Sequence, residues 1–486
     1  MHRRLFLGRA ATGLSAATLV AAGPFHLATA ADASAASLEQ RLAQFALALR
    51  YEDLSAQVVD AVRRVVLDTL ACAFGAVGSE AAVIAEATIR STFGTGQAAT
   101  VIGNARGASV EGAVFVNGIL VRSLDLNDTY IGTEPLHPSE LFPTALAICE
   151  DRRLSGRDFI AALAAGYEAS MRINDAVSFM QRGFHPLCSA AYAAPLIAGR
   201  LWGLKQQELA NAVGLSAARG YTSFVVNNGA ISMMKAMGFA ATAVDAIFAT
   251  RLAANGFTGP TGTLEWFAAR AAPAQAAVVV DLEPARYRLL QVAFKRFPIQ
   301  IELAAVAEAG SLLAPRVRDR SAEIRAVNVE TYPGIIERVA DAAKFKPQTR
   351  GTADHSLPVC LAMALLDGDV TLAQFDKDRW RDRDVMELVE KTSVKPGAAL
   401  IAKLPKGRGA SVEIVFADGT TLRETVEVPE GDSQRPLSRV SLQSKFMTAA
   451  IPILGAERAK RVLSQVEALE TMTDMRDLAR ALSVPA

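Results

Sequence analysis

The chain has 486 residues, 51% of them hydrophobic, which is enough for two or three domains and a large buried core. Lysine and arginine (51) nearly cancel aspartate and glutamate (50), leaving a formal charge of +1. This balance excludes a global field that would draw the protein to nucleic acid or an anionic membrane, so affinity for anions must come from a local cluster.

Residues 1–30 read as a targeting segment. Arg3-Arg4-Leu5-Phe6-Leu7 precedes an apolar, alanine-rich run over 10–22, and Ala28-Thr29-Ala30 supplies a small-residue cleavage site. Paired arginines before Phe-Leu match a twin-arginine export signal, which predicts a periplasmic protein. The apolar run is short for a membrane span and is interrupted by Gly13 and Gly23-Pro24. No stable membrane insertion is expected after signal removal.

Helical periodicity follows. Over 56–74, Val58, Val59, Val62, Val65, Val66 and Leu70 recur close to a 3.6 period, until Gly75 and Gly78 interrupt it. Further helices are expected over 79–92, 109–123, 143–149 and 156–177, the last with an early acid, Asp158. Residues 185–255 are rich in alanine and glycine, which lets helices approach closely; 201–209 reads as helix, turn, helix. Gly256-Phe257-Thr258-Gly259-Pro260-Thr261-Gly262 is a turn-rich stop.

The pattern changes near residue 280. Short β-branched runs occupy 277–282 and 324–332, and two alternating runs, 410–417 and 420–428, flank Asp418-Gly419, a strong hairpin signal. Helical pattern returns over 436–482. The expected fold is mainly α: a large all-helical domain, residues 31–283 with 433–486 returning to it, and an inserted smaller α+β lid domain over 284–432. Cys72, Cys149, Cys188 and Cys360 are far apart and form no CxxC pair, so neither a disulfide scaffold nor a zinc ribbon is present.

Outside the leader only three histidines remain: His137, His185 and His355, each beside a proline or in a polar turn. Imidazole titrates near neutrality and is the default proton carrier of a site. Asp125, Asp128, Thr129 and His137 fall in one short stretch, Leu124-Asp125-Leu126-Asn127-Asp128-Thr129-Tyr130 to His137-Pro138. Their spacing fits no standard metal motif, and no metal is expected. In Gln181-Arg182-Gly183-Phe184-His185-Pro186, Arg182 can fork onto a carboxylate. Lys235 is a single cation in an apolar helical stretch, either snorkelling to the surface or waiting for an anion. Lys295-Arg296 before Phe297-Pro298 suits a carboxylate clamp or a plain surface corner.

Taken in order, with Asn117-Gly118, the Gly256–Pro260 turn and His355-Ser356-Leu357-Pro358, these segments resemble the MmgE/PrpD family, which is 2-methylcitrate dehydratase-like and cis-aconitate decarboxylase-like. The resemblance implies a helical domain with an α+β lid, a homodimer, a site between the two domains, and functional residues at Asp125, Thr129, His137, His185, Lys235 and Lys295. It departs from the family pattern at Asn127, Arg122, Gln300 and Val359.

The implied chemistry develops carbanion character beside a carboxylate, which only preplaced cations can stabilise. Lys235 and Lys295, with Arg182 or Arg296, would supply that charge. His137 would be the general base or acid, and His185 the second proton carrier or a carboxylate donor. Asp125 would orient an imidazole or lysine, and Thr129 would hydrogen-bond the substrate. The expected activity is cofactor-independent dehydration of a 2-methylcitrate-like hydroxy polycarboxylate. Alternatives are a decarboxylase or epimerase acting on an aconitate-like or amino-dicarboxylate substrate, and a non-catalytic exported carboxylate-binding protein.

Overall fold

Serines start the helices that carry the core. In the computed structural model, which describes residues 36–94, 96–227, 230–271, 278–283, 286–404 and 407–484, Ser55, Ser109 and Ser155 precede the helices Ala56–Gly75, Val110–Arg122 and Gly156–Ala176. Each serine side chain accepts a backbone N–H of the first turn, and Asp158 completes a capping box with Ser155. The expected export signal over 1–30 lies outside the described residues. Twenty α-helices and six short strands make the described chain mainly α.

Close helix approach needs small residues. A Cβ on Gly118 would stand 2.9 Å from the Ala240 Cβ, so the Val110–Arg122 and Met234–Ala254 helices meet almost backbone to backbone. That contact brings Arg122, at the end of one helix, to the same place as Lys235, at the start of the other. The Met234–Ala254 helix is long and apolar enough to cross a membrane, yet most of it is buried in this fold. The glycine turn after it is equally constrained: a Cβ on Gly259 would lie 2.2 Å from the Asn211 carbonyl oxygen.

Apolar side chains bury in two clusters within the unit Ser37–Ala486. The first runs from Leu38 to Phe294 and takes in Leu437 to Leu482; the second runs from Phe297 to Val426. The second holds a four-stranded sheet, β1 (Ile324–Thr331), β2 (Thr392–Pro396), β3 (Ala410–Phe416) and β4 (Thr421–Val426), in the order β2-β1-β3-β4. β1 pairs β2 parallel and β3 antiparallel, and β3 and β4 form the hairpin at Asp418-Gly419, with Gly419 at φ 83°. Val327 and Val329 point inward from β1.

One expected strand does not form. Residues 278–283 run without regular structure, because Val280 is buried in the helical core and the Asp281 carbonyl accepts from Arg172 Nη1 at 2.7 Å instead of from a neighbouring strand. All four cysteines are buried and free.

Candidate active site

Asp125 follows the Val110–Arg122 helix with φ 49°, a left-handed conformation that aspartate tolerates better than most residues. The turn drives its carboxylate inward. Oδ1 pairs with the Arg122 guanidinium and lies 3.1 Å from Lys295 Nζ, while Oδ2 lies 3.2 Å from Lys235 Nζ and 3.4 Å from His355 Nε2. Burial alone would push this carboxyl up, but Lys235, Lys295 and Arg122 outweigh it and hold the group well below the usual carboxylate range. Arg122 also bonds Glu140 at 2.9 Å.

His137 is fixed from behind. Its Nδ1 lies 2.7 Å from the Asp128 carbonyl oxygen and 3.3 Å from the Thr129 hydroxyl. A carbonyl only accepts, so Nδ1 carries the hydrogen and Nε2 keeps its lone pair. Burial, then Arg122 and Lys295, push the imidazole pKa well below its ordinary value, so the ring is neutral. A neutral imidazole with a free lone pair can accept a proton. The Asp128 carboxyl anchors the same loop, accepting from Ser139 N and Tyr167 Oη at 3.0 Å each, and burial pushes it up to about 7.

His185 has the opposite tautomer. Its Nδ1 accepts the Leu187 N–H at 3.2 Å, so the hydrogen sits on Nε2, which lies 3.1 Å from the Asn227 amide. A half turn of that amide places its otherwise unpartnered Oδ1 on the ring N–H. Burial, with Arg122 and Lys235, pushes His185 down to about 3. It therefore presents an N–H donor and not a base.

Lys235 is buried, with its Nζ 2.9 Å from His355 Nε2, and Asp354 closes the chain at His355 Nδ1. Burial pushes the ammonium down to about 8 against the pull of Asp125. The nitrogen of Lys295 gives its three hydrogens to Asp125 O (2.8 Å), Asp125 Oδ1 (3.1 Å) and Ile299 O (3.2 Å). Asp125, Asp354 and His355 lie close enough together to bind a metal ion. The Lys235 ammonium already occupies the space between two of these ligands, however, and would repel a second cation.

One cavity gathers Arg122, Asp125, His137, His185, Lys295 and His355 with Gln300, Glu302 and Arg338. Lys235 stands one layer behind it and lines a neighbouring cavity with Asp354. Three expected contacts are placed elsewhere. Thr129 is fully buried with its hydroxyl on His137, so it positions the imidazole and does not line the cavity. Arg182 donates to the Ser178 carbonyl at 2.6 Å and lies over the Phe267 ring, outside the cavity lining. Arg296 points outward to Glu430 (3.3 Å) and Asp369 (3.6 Å), because adjacent residues diverge and burial of Phe297 and Ile299 turns Lys295 inward. The sequence marks His355 only as one of three candidate proton carriers, with no specific role, marks Arg122 and Gln300 only as departures, and assigns nothing to Asp354, Glu302 and Arg338. No motif announces the last three.

The profile of the MmgE/PrpD N-terminal domain matches residues 40–270, and that of the MmgE/PrpD C-terminal domain matches residues 297–471. Cis-aconitate decarboxylase from Aspergillus terreus (strain NIH 2624 / FGSC A1156) is 25% identical, over 94% of this chain and 98% of that protein. Cis-aconitate decarboxylase from Mus musculus is 26% identical, over 77% of this chain and 78% of that protein. 2-Methylcitrate dehydratase from Escherichia coli (strain K12) is 25% identical, over 80% of this chain and 84% of that protein.

Proposed function

The chain belongs to the MmgE/PrpD family, and on that premise we propose that it is a lyase that dehydrates a 2-methylcitrate-like hydroxy polycarboxylate using only its own side chains. The observation that carries this reading is the neutral His137 imidazole, its Nε2 lone pair free, in one cavity with Arg122 and Lys295. His137 Nε2 takes the proton from the carbon beside a substrate carboxylate. The C–H electron pair becomes the double bond, and the C–O bond breaks. Hydroxide leaves as water with a proton that starts on Lys235 and passes through Nε2 of His355, the member of the pair that lines the cavity. Three cations around Asp125 leave a positive field for the charge that builds on the substrate carboxylate. His185 Nε2–H would donate to a substrate oxygen only by exchanging its Asn227 partner for the substrate.

A second reading is decarboxylation of an aconitate-like acid. It is favoured by the wider coverage of the chain by cis-aconitate decarboxylase from Aspergillus terreus, 94% against 80% for the Escherichia coli dehydratase. It requires a proton to be delivered to carbon, a task that a neutral His137 serves poorly. The test is incubation of the mature protein with 2-methylcitrate, citrate and cis-aconitate, followed by NMR. An unsaturated product from a hydroxy acid supports dehydration, and loss of carbon dioxide from cis-aconitate alone replaces it with the second reading. Ligand-induced thermal stabilisation without any product would indicate a binding protein.

We further propose that the chain is an exported, periplasmic homodimer in which the second-core segments act as a lid over the cavity. Support for a dimer comes from the Met234–Ala254 helix, which leaves Met234, Met237, Ala241, Val244 and Phe248 incompletely buried on one stripe. A monomeric sedimentation coefficient, or retention in the cytoplasmic fraction, would overturn the corresponding part.

A further inference from the structure

We propose that Arg338 anchors the substrate carboxylate remote from the reacting carbon, so that the preferred substrate must carry a second carboxylate; this rests on the lyase reading above. Three cations line the cavity: Arg122, Lys295 and Arg338. The first two are committed. Arg122 is buried between Asp125 and Glu140, and all three Lys295 hydrogens have acceptors within the protein. Arg338 differs, because its side chain is 34% exposed.

The guanidinium is also held in one orientation. Its Nε and Nη2 bond the Glu302 carboxylate at 3.2 Å and 2.6 Å, and neither bond uses Nη1. Glu302 is itself buried and pinned by Tyr332 Oη at 3.1 Å and Gln300 Nε2 at 2.9 Å, while Gln300 Oε1 accepts the Glu302 N–H at 2.7 Å. A fork fixed in this way loses little further freedom when it binds an anion. Charge favours an anion as well. Arg408 Nη1 lies 3.8 Å from Glu302 Oε1, so one carboxylate faces two guanidiniums, and the cluster keeps one positive charge. Arg338 comes from the second core and His137 packs with the first, so one cavity offers a cation and a base on separate parts of the chain. A polycarboxylate spanning the two satisfies both, whereas a monocarboxylate cannot.

The competing explanation is that Arg338 only neutralises Glu302. Steady-state kinetics on the full mature chain separates the two, using Arg338→Gln, Arg338→Lys, Glu302→Gln and the Arg338→Gln/Glu302→Gln double variant. Loss of a charged anchor should lower kcat/KM by about 10- to 100-fold, mainly through KM, with partial recovery in Arg338→Lys and none in the double variant. An unchanged KM in Arg338→Gln, or a KM restored in the double variant, overturns the proposal. If the wild-type protein turns over no carboxylate, the lyase reading fails by itself. The anchor is then read from thermal stabilisation by propane-1,2,3-tricarboxylate, expected to vanish in Arg338→Gln and overturning the proposal if it persists. Where Arg338→Gln does not fold, the lysine and double variants decide between anchor and neutraliser through the same KM comparison.

Discussion

The Lys235 ammonium lies 2.9 Å from His355 Nε2, with Asp354 on the other nitrogen of the same ring. Asp354 takes the Nδ1 hydrogen, so Nε2 can only accept, and Lys235 is held as the donor. The two residues are 120 positions apart in the chain, and their meeting joins the helical core to the second core. This pair makes Lys235 a buried member of a hydrogen-bonded chain instead of a snorkelling surface cation.

Turnover that draws on the Lys235 ammonium should hold below pH 8 and fall above it, because burial pushes that group down to about 8. Lys235→Arg keeps the charge at any accessible pH. Its residual kcat/KM should therefore lose the basic limb of the profile. A limb unmoved in Lys235→Arg would assign the titration to another group.

His137→Gln should lower kcat by at least about 100-fold with an essentially unchanged melting temperature, as expected for loss of a general base. Thr129→Val, which removes only the hydroxyl behind Nδ1, should cost less, about 10-fold. NMR progress curves on the preferred polycarboxylate give both numbers. Near-normal turnover in His137→Gln would remove this residue from the chemistry.

Asp125→Asn isolates charge, because asparagine also tolerates the left-handed backbone. It leaves Arg122, Lys235 and Lys295 facing one another in a buried space, which should destabilise the fold by about 3–5 kcal/mol in urea titration at neutral pH. Neutral pH is the right condition. This depressed carboxyl stabilises the fold fully above the ordinary carboxylate range, and its contribution is lost only as pH falls through its own low value. A change below about 1 kcal/mol would show that the three cations are screened from one another.

Asp128 gives the opposite sign. Burial raises its carboxyl to about 7, so between the ordinary carboxylate value and pH 7 the folded state holds a proton that the unfolded state has released. Stability from this group is full at the acidic end and falls as pH rises through 7. Asp128→Asn should flatten that slope in melting temperature measured between pH 4.5 and 7.5. An unaltered slope would show that the carboxyl ionises normally.

The sequence by itself determined the helical class, the Asp418-Gly419 hairpin and the family, since periodicity, turn chemistry and ordered motifs are local properties written along the chain. It also marked Asp125, His137, His185, Lys235 and Lys295, and the cavity or the layer just behind it receives all five. Tertiary structure alone decided which of the adjacent Lys295 and Arg296 turns inward, because that depends on where Phe297 and Ile299 find their core. It likewise decided the tautomers of His137 and His185, through the backbone groups each ring meets, and brought Arg338 and His355 to the cavity. Contacts between residues far apart in the chain come from packing, and no pattern within one segment encodes them.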